Sequence, residues 1–96
     1  MSSDSGSRLT GLTIGSLALS PAFDAEVESY TASTSNNTNK VTATAADDAA
    51  ILVELNGVAM NNGASATWQA GENTLTVTVT DNGKEPTTYT VIVTKA

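Results

Sequence analysis

The feature that most constrains this chain is a strict two-residue alternation near its end. The stretch "NTLTVTVTD" puts Leu75, Val77 and Val79 on one side and Thr74, Thr76, Thr78 and Thr80 on the other. The stretch "TTYTVIVTK" repeats this, with Tyr89, Val91 and Val93 opposite Thr88, Thr90 and Thr94. Side chains of a strand point alternately to its two faces, so each segment predicts a half-buried β-strand. β-branched threonine suits the solvent side of such a strand. Between them "DNGKEP" carries Asn82-Gly83, two residues that accept positive φ. An antiparallel hairpin with one dry and one wet face follows, with a bulge or wide turn because the loop exceeds two residues.

The same period runs upstream. Ile51, Val53 and Leu55 face inward with Glu54 outward, and Asn56-Gly57 turns the chain. Leu52 is an outward apolar residue, expected against a neighbouring module or a loop. Val41, Ala43 and Ala45 share a face, as do Ala64, Ala66 and Trp68 before the Gly71-Glu72-Asn73 turn. Leu9, Leu12 and Ile14, then Leu17 and Leu19, make a first strand region. In "LALSPAFDAEVESYTA", Ser20-Pro21 breaks pairing, Phe23 folds back to plug the core, and Tyr30 enters the next strand. Its ring is expected to be buried, with the hydroxyl on a backbone partner near the rim. Val27 and Tyr30 differ by an odd number, so a twist or bulge brings both inward, or one lies outside the core. The one Ala-rich stretch, "ATAADDAA", is too short and too acidic for a helix. Short strands about ten residues apart, punctuated by Gly and Asn, predict an all-β sandwich.

A chain of 96 residues makes one small domain, and with aromatics at 4% its core must be aliphatic. The opening "MSSDSGSRLTG" reads as a start Met and a Ser/Gly linker, so residues 1–8 are expected to be a flexible linker and residues 9–96 the domain, a module of a longer chain. No signal peptide begins the segment and no apolar run is long enough to span a bilayer.

The net charge is −6, and Arg8, Lys40, Lys84 and Lys95 are scattered. That disfavours nucleic acid and anionic membrane surfaces as partners. There is no His and no Cys. Ser-His and Cys-His nucleophile pairs, thiolate zinc sites and disulfides are thereby excluded, and Asp24, Glu26 and Glu28 read as solvated charges. An enzyme is not expected, and no cofactor is implied. For calcium, Asp47 with Asp48, and Asp81 and Asn82 with Glu85, offer oxygen ligands. A tight site needs about six to eight oxygens in a shaped loop, so these clusters read first as turn chemistry, with calcium binding at most weak or dependent on a neighbouring domain. Trp68 is either a sugar-stacking platform or, by its parity with Ala64 and Ala66, a core residue; the core is favoured. Candidate binding loops surround Asn36, Asn37 and Asn39, then Asn61 and Asn62, then Asn82 in the hairpin loop. Gly57, Gly71 and Gly83 are turn glycines that open no helix, so no phosphate loop is indicated. The threonine faces read as solvated strand surfaces.

The order "L-x-x-L-x-I…G-x-L-x-L-S-P-A-F-D…V-x-x-Y-T-A" from Leu9 to Ala32 resembles the cadherin-like β-sandwich domain of bacterial surface proteins. "VTATAADDAAILVELNG", "WQAGENTLTVTVTDNG" and "TYTVIVT" continue the resemblance to about residue 94. It implies an immunoglobulin-like two-sheet antiparallel β-sandwich of about seven strands with Greek-key connections. Family members tend to carry an aliphatic core residue where Trp68 stands. The resemblance brings no catalytic residues, and the dense acidic calcium motifs of cadherins proper are not reproduced. It implies a non-catalytic structural or adhesion module, a spacer or docking domain of a larger bacterial cell-surface or phage virion protein. The alternative is a carbohydrate-binding accessory module attached to a carbohydrate-active enzyme. Implied partners are neighbouring domains of the same chain and a protein or glycan at a cell surface, with the isolated domain a monomer in an extracellular, cell-surface or virion setting.

Overall fold

The computed structural model of the chain describes residues 7–24, 26–45, 49–80 and 85–96. Its strands are β1 (Leu9–Ile14), β2 (Ser29–Thr34), β3 (Thr38–Ala45), β4 (Ala50–Leu55), β5 (Val58–Met60), β6 (Ser65–Thr67), β7 (Gly71–Thr80) and β8 (Thr87–Lys95). They form a three-stranded sheet, β1-β3-β6, and a five-stranded sheet, β2-β8-β7-β4-β5. This is the all-β two-sheet sandwich that the alternation predicts.

The alternating segments form its centre. β7 and β8 pair antiparallel from Gly71 opposite Lys95 to Val79 opposite Thr87. Leu75, Val77, Val79, Tyr89, Val91 and Val93 are fully buried. The three-stranded sheet supplies Leu9, Leu12, Ile14, Val41, Ala43 and Ala66 to the same core. Threonine methyls and hydroxyls cover the outer side, where Thr78 and Thr88 meet at 3.2 Å.

Two parity conflicts are resolved locally. Leu9 and Leu12 are both buried because the register of β1 against β3 shifts between Leu9 and Gly11. An extra residue in a bulge restores the inward direction. Val27 lies outside β2, in a turn where its N–H donates to the Asp24 carbonyl at 2.9 Å, and it is half-buried against the core. Tyr30 is the inward residue of the strand.

The first strand ends earlier than the sequence suggests. At Gly15 φ is 58°, and the chain leaves the sheet there. Leu17 and Leu19 then cover the core from a segment without regular structure. Ser20 returns to pair with Thr31, and the Ser20–Pro21 peptide is cis. Phe23 stacks on Tyr30 with ring centroids 5.9 Å apart and lies 6.2 Å from Tyr89, closing one end of the sandwich as its position predicts.

Three details differ from the expected antiparallel sandwich of about seven strands. An eighth strand, the short β5, returns from a two-residue Asn56-Gly57 turn with φ of 53° and 84°, and pairs with β4. Both positive angles match a turn whose twist fits a hairpin. β2 pairs with β8 in parallel, from Ser29 opposite Thr90 to Thr34 opposite Lys95. Ser7, expected in the leading linker, is buried and donates its N–H to the Glu85 carbonyl at 2.9 Å, so ordered packing begins before residue 9.

Candidate binding surface

Two of the six asparagines singled out as loop ligands, Asn39 and Asn62, already serve the fold through their side chains. Asn39 lies in β3, half-buried, and its Oδ1 accepts the indole N–H of Trp68 at 2.8 Å. It is a structural residue and not a free loop amide. Trp68 itself is 4% exposed, so its ring faces the core and offers no sugar-stacking platform. An indole buried with its single donor satisfied is a stable arrangement. Asn62 mimics a strand: its Oδ1 accepts the Ala43 N–H at 2.9 Å and its Nδ2 donates to the Ala43 carbonyl at 2.8 Å.

Asn36, Asn37 and Asn61 are exposed. Their backbones are anchored: Asn36 N–H donates to Thr34 Oγ1 at 2.9 Å, and the carbonyls of Asn37 and Asn61 accept from Trp68 and Ala64. Their side chains remain the candidates for contact. Asp47, Asp48, Asp81 and Asn82 lie outside the described residues. Glu85 is exposed. Among the described residues no group of three acidic side chains converges on a cation position.

One polar cluster was not anticipated. Asn73 is fully buried and uses both ends of its amide. Its Nδ2 donates to the carbonyls of Gln69 at 2.9 Å, Gly71 at 3.2 Å and Val93 at 3.2 Å. Its Oδ1 accepts from Gln69 N–H at 2.9 Å and Asn56 Nδ2 at 3.3 Å. Asn56 Oδ1 in turn accepts the Thr74 N–H at 2.9 Å. The network locks the β4–β5 turn onto the entry to β7. No buried side-chain polar atom among the described residues is without a partner.

Carboxylates of the 20s turn are not assembled for proton transfer. Asp24 Oδ1 accepts the Glu26 N–H at 2.9 Å, an ordinary turn bond. The Tyr30 hydroxyl donates to the Asp24 carbonyl at 2.6 Å and accepts the Asp24 N–H at 2.9 Å, as expected of a rim hydroxyl. Burial raises the Tyr30 phenol above its ordinary value of 10.0, outweighing the lowering effect of the bond to the Asp24 backbone. The fold thus favours the neutral phenol. Its contribution is intact below pH 10.0 and is lost as pH rises through the folded value. Melting temperature should therefore fall above about pH 10 in the wild type, and fall less steeply in Tyr30→Phe. Parallel falls in the two proteins would contradict this assignment.

One concavity among the described residues is a groove of about 340 Å³ between the two sheets, bordered by β5, the end of β4, and β6. Val58 on its rim is 69% exposed, and Leu52, on the outer side of β4, is 48% exposed. The groove carries no carboxylate, amine or imidazole. Its lining is apolar and neutral polar.

A family profile described as a cadherin-like beta sandwich domain matches residues 9–96. No curated protein matches the chain. Domains of this kind are generally non-catalytic modules and typically extracellular, and no helix among the described residues is long and apolar enough to cross a membrane. The profile spans nearly the whole chain, and the two-sheet architecture agrees with it: the chain belongs to the cadherin-like β-sandwich domain family.

Proposed function

We propose that the chain is a structural spacer that holds its place under tension in a larger bacterial surface or virion protein. The observation that carries this reading is the parallel pairing of β2 with β8. Leu9 N–H donates to the Tyr89 hydroxyl at 3.2 Å, so the chain enters near the start of β8 and leaves at its end. Pulling the termini apart first loads β1. The load then falls on β2 and β8, which are drawn in opposite directions along their length. Parallel strands loaded this way slide and do not unzip, so the registered pairs resist together. The Thr90 N–H to the Glu28 carbonyl (2.8 Å) and the Ala96 N–H to the Thr34 carbonyl (2.9 Å) extend the ladder at both ends.

Single-molecule stretching of a tandem array tests this. Each domain should release roughly 250 Å of chain in all, with the main event at the loss of the β2–β8 pairing, as about 88 residues extend from a body with a long axis of 41 Å. Ala32→Pro, which inserts a residue unable to donate in the middle of β2, should lower the rupture force without changing the length released. Equal forces for the two proteins would remove the load-bearing role. The exposed side chains of Asn36, Asn37 and Asn61 supply contacts for a docking partner, and the threonine-rich outer sheet face keeps the module apart from its neighbours.

A further inference from the structure

Backbone direction at the two strands beside the groove is fixed by their ladders. Val41 N–H donates to the Ala64 carbonyl at 3.0 Å, and Trp68 N–H to the Asn37 carbonyl at 2.9 Å. These are bonded positions of the β3–β6 register, and Asn39 opposite Ala66 falls between them. In an antiparallel ladder bonded pairs alternate with pairs whose N–H and C=O groups point away from each other. The backbone groups of Ser65 and Thr67 therefore point off the edge of the three-stranded sheet. On β5, the two-residue turn makes Leu55 and Val58 a bonded pair, so the backbone groups of Ala59 also point off an edge. Ala59, Ser65 and Thr67 border the same groove.

The side chains show the same shortfall. Cross-strand partners share a face. Val58 stands opposite Leu55, and Met60 opposite Val53, which is 1% exposed and inward. Val58 and Met60 thus belong to the inner side of the five-stranded sheet. Val58 is nevertheless 69% exposed and Met60 only half-buried. Among the described residues the opposing sheet stops at β6, and no strand lies across from them.

We propose that the groove between β5 and β6 is a strand-acceptor site. It takes an extended segment of a partner polypeptide, hydrogen-bonded to the outward groups of Ser65 and Thr67. Apolar side chains at alternate positions of that segment lie on Val58 and Met60. Charge selects the occupant. The lining is wholly uncharged, so an acidic or basic side chain turned inward would be stripped of water without a partner. The chain carries a net charge of −6, which opposes a second copy of itself and favours a segment with cationic flanks. The proposal rests on the non-catalytic reading above, but peptide capture and resistance to stretching are separate measurements, and either can fail alone.

A short peptide alternating threonine and valine, with a lysine at each end, is titrated into the whole isotope-labelled chain. Amide exchange and chemical shifts are followed. The site predicts saturable binding, slowed exchange at the Ser65 and Thr67 amides, and shifts at Val58 and Met60. Thr67→Pro removes an outward N–H but no bond to β3, and should weaken binding about tenfold. Val58→Lys, at an exposed position, should weaken it to a similar degree by charging the edge. The proposal is overturned by absence of binding at millimolar peptide, by binding that leaves the Ser65 and Thr67 amides unprotected, or by an unchanged affinity in Val58→Lys. It is equally overturned if those amides become protected by concentration-dependent self-association of the chain alone.

Discussion

Tyr89→Ala is expected to lower unfolding free energy by about 4 kcal/mol, a large part of the roughly 5–15 kcal/mol that holds a small domain together. Tyr89 is fully buried near the start of β8, lies 6.2 Å from the Phe23 ring, and accepts the Leu9 N–H through its hydroxyl. It therefore joins the five-stranded sheet, the beginning of the three-stranded sheet, and the plug that closes one end. Truncation removes the ring's buried area, leaves a cavity that a two-sheet core fills only by moving a strand, and strands the Leu9 donor. For a domain this size the melting temperature should drop by about 20 °C. Tyr89→Phe keeps the ring and loses the hydroxyl with its bond to the Leu9 N–H, which should cost about 1 kcal/mol. Urea denaturation of the three proteins measures both steps. A Tyr89→Ala protein within about 1 kcal/mol of wild type would mean that the ring does not bridge the sheets.

Asn73→Ala should be nearly as damaging, at about 3 kcal/mol, although it removes little apolar surface. The amide accepts the Gln69 N–H and donates to the carbonyls of Gln69, Gly71 and Val93. Without it the part-buried Gln69 N–H and the Gln69 and Gly71 carbonyls lose these bonds and the buried Val93 carbonyl loses one, each costing about 1–3 kcal/mol unless water reaches it. Asn73→Asp should be as harmful at neutral pH. It retains an acceptor for Gln69 but points a charged oxygen at three carbonyls. Thermal melts of the two variants give the comparison, and a near-neutral Asn73→Asp would contradict the assigned amide orientation.

The alternation of β7 and β8 was legible because a strand buried on one face leaves a period-two record, and Leu75, Val77, Val79, Tyr89, Val91 and Val93 all obey it. Phe23 and Tyr30 were legible because a proline and an isolated ring inside an apolar stretch have few other uses. The parallel union of β2 and β8 was not, since a strand's period says which face is dry and nothing about its neighbour or direction. The return strand β5 is too short, and its Val58 too exposed, to register as a pattern. The structural use of Asn39, Asn62 and Asn73 was not legible, because turn chemistry and amide clamps use the same residue. A signal was present: Asn73 shares parity with Leu75, and Asn39 with Val41, so both stand at inward positions of their strands. A polar residue at an inward position is either paired or functional, and here the pairing to backbone and to Trp68 decides it.

That the aliphatic faces of two sheets close on each other is the claim on which the functional reading depends. Its most direct test is a methyl-resolved nuclear Overhauser spectrum of the labelled chain. Contacts should link Leu12, Ile14 and Val41 of the three-stranded sheet with Val77, Val91 and Val93 of the five-stranded sheet, and a dissolved paramagnetic agent should leave all six unbleached. Missing contacts between the sheets, or bleaching of Val77 and Val91, would contradict the sandwich.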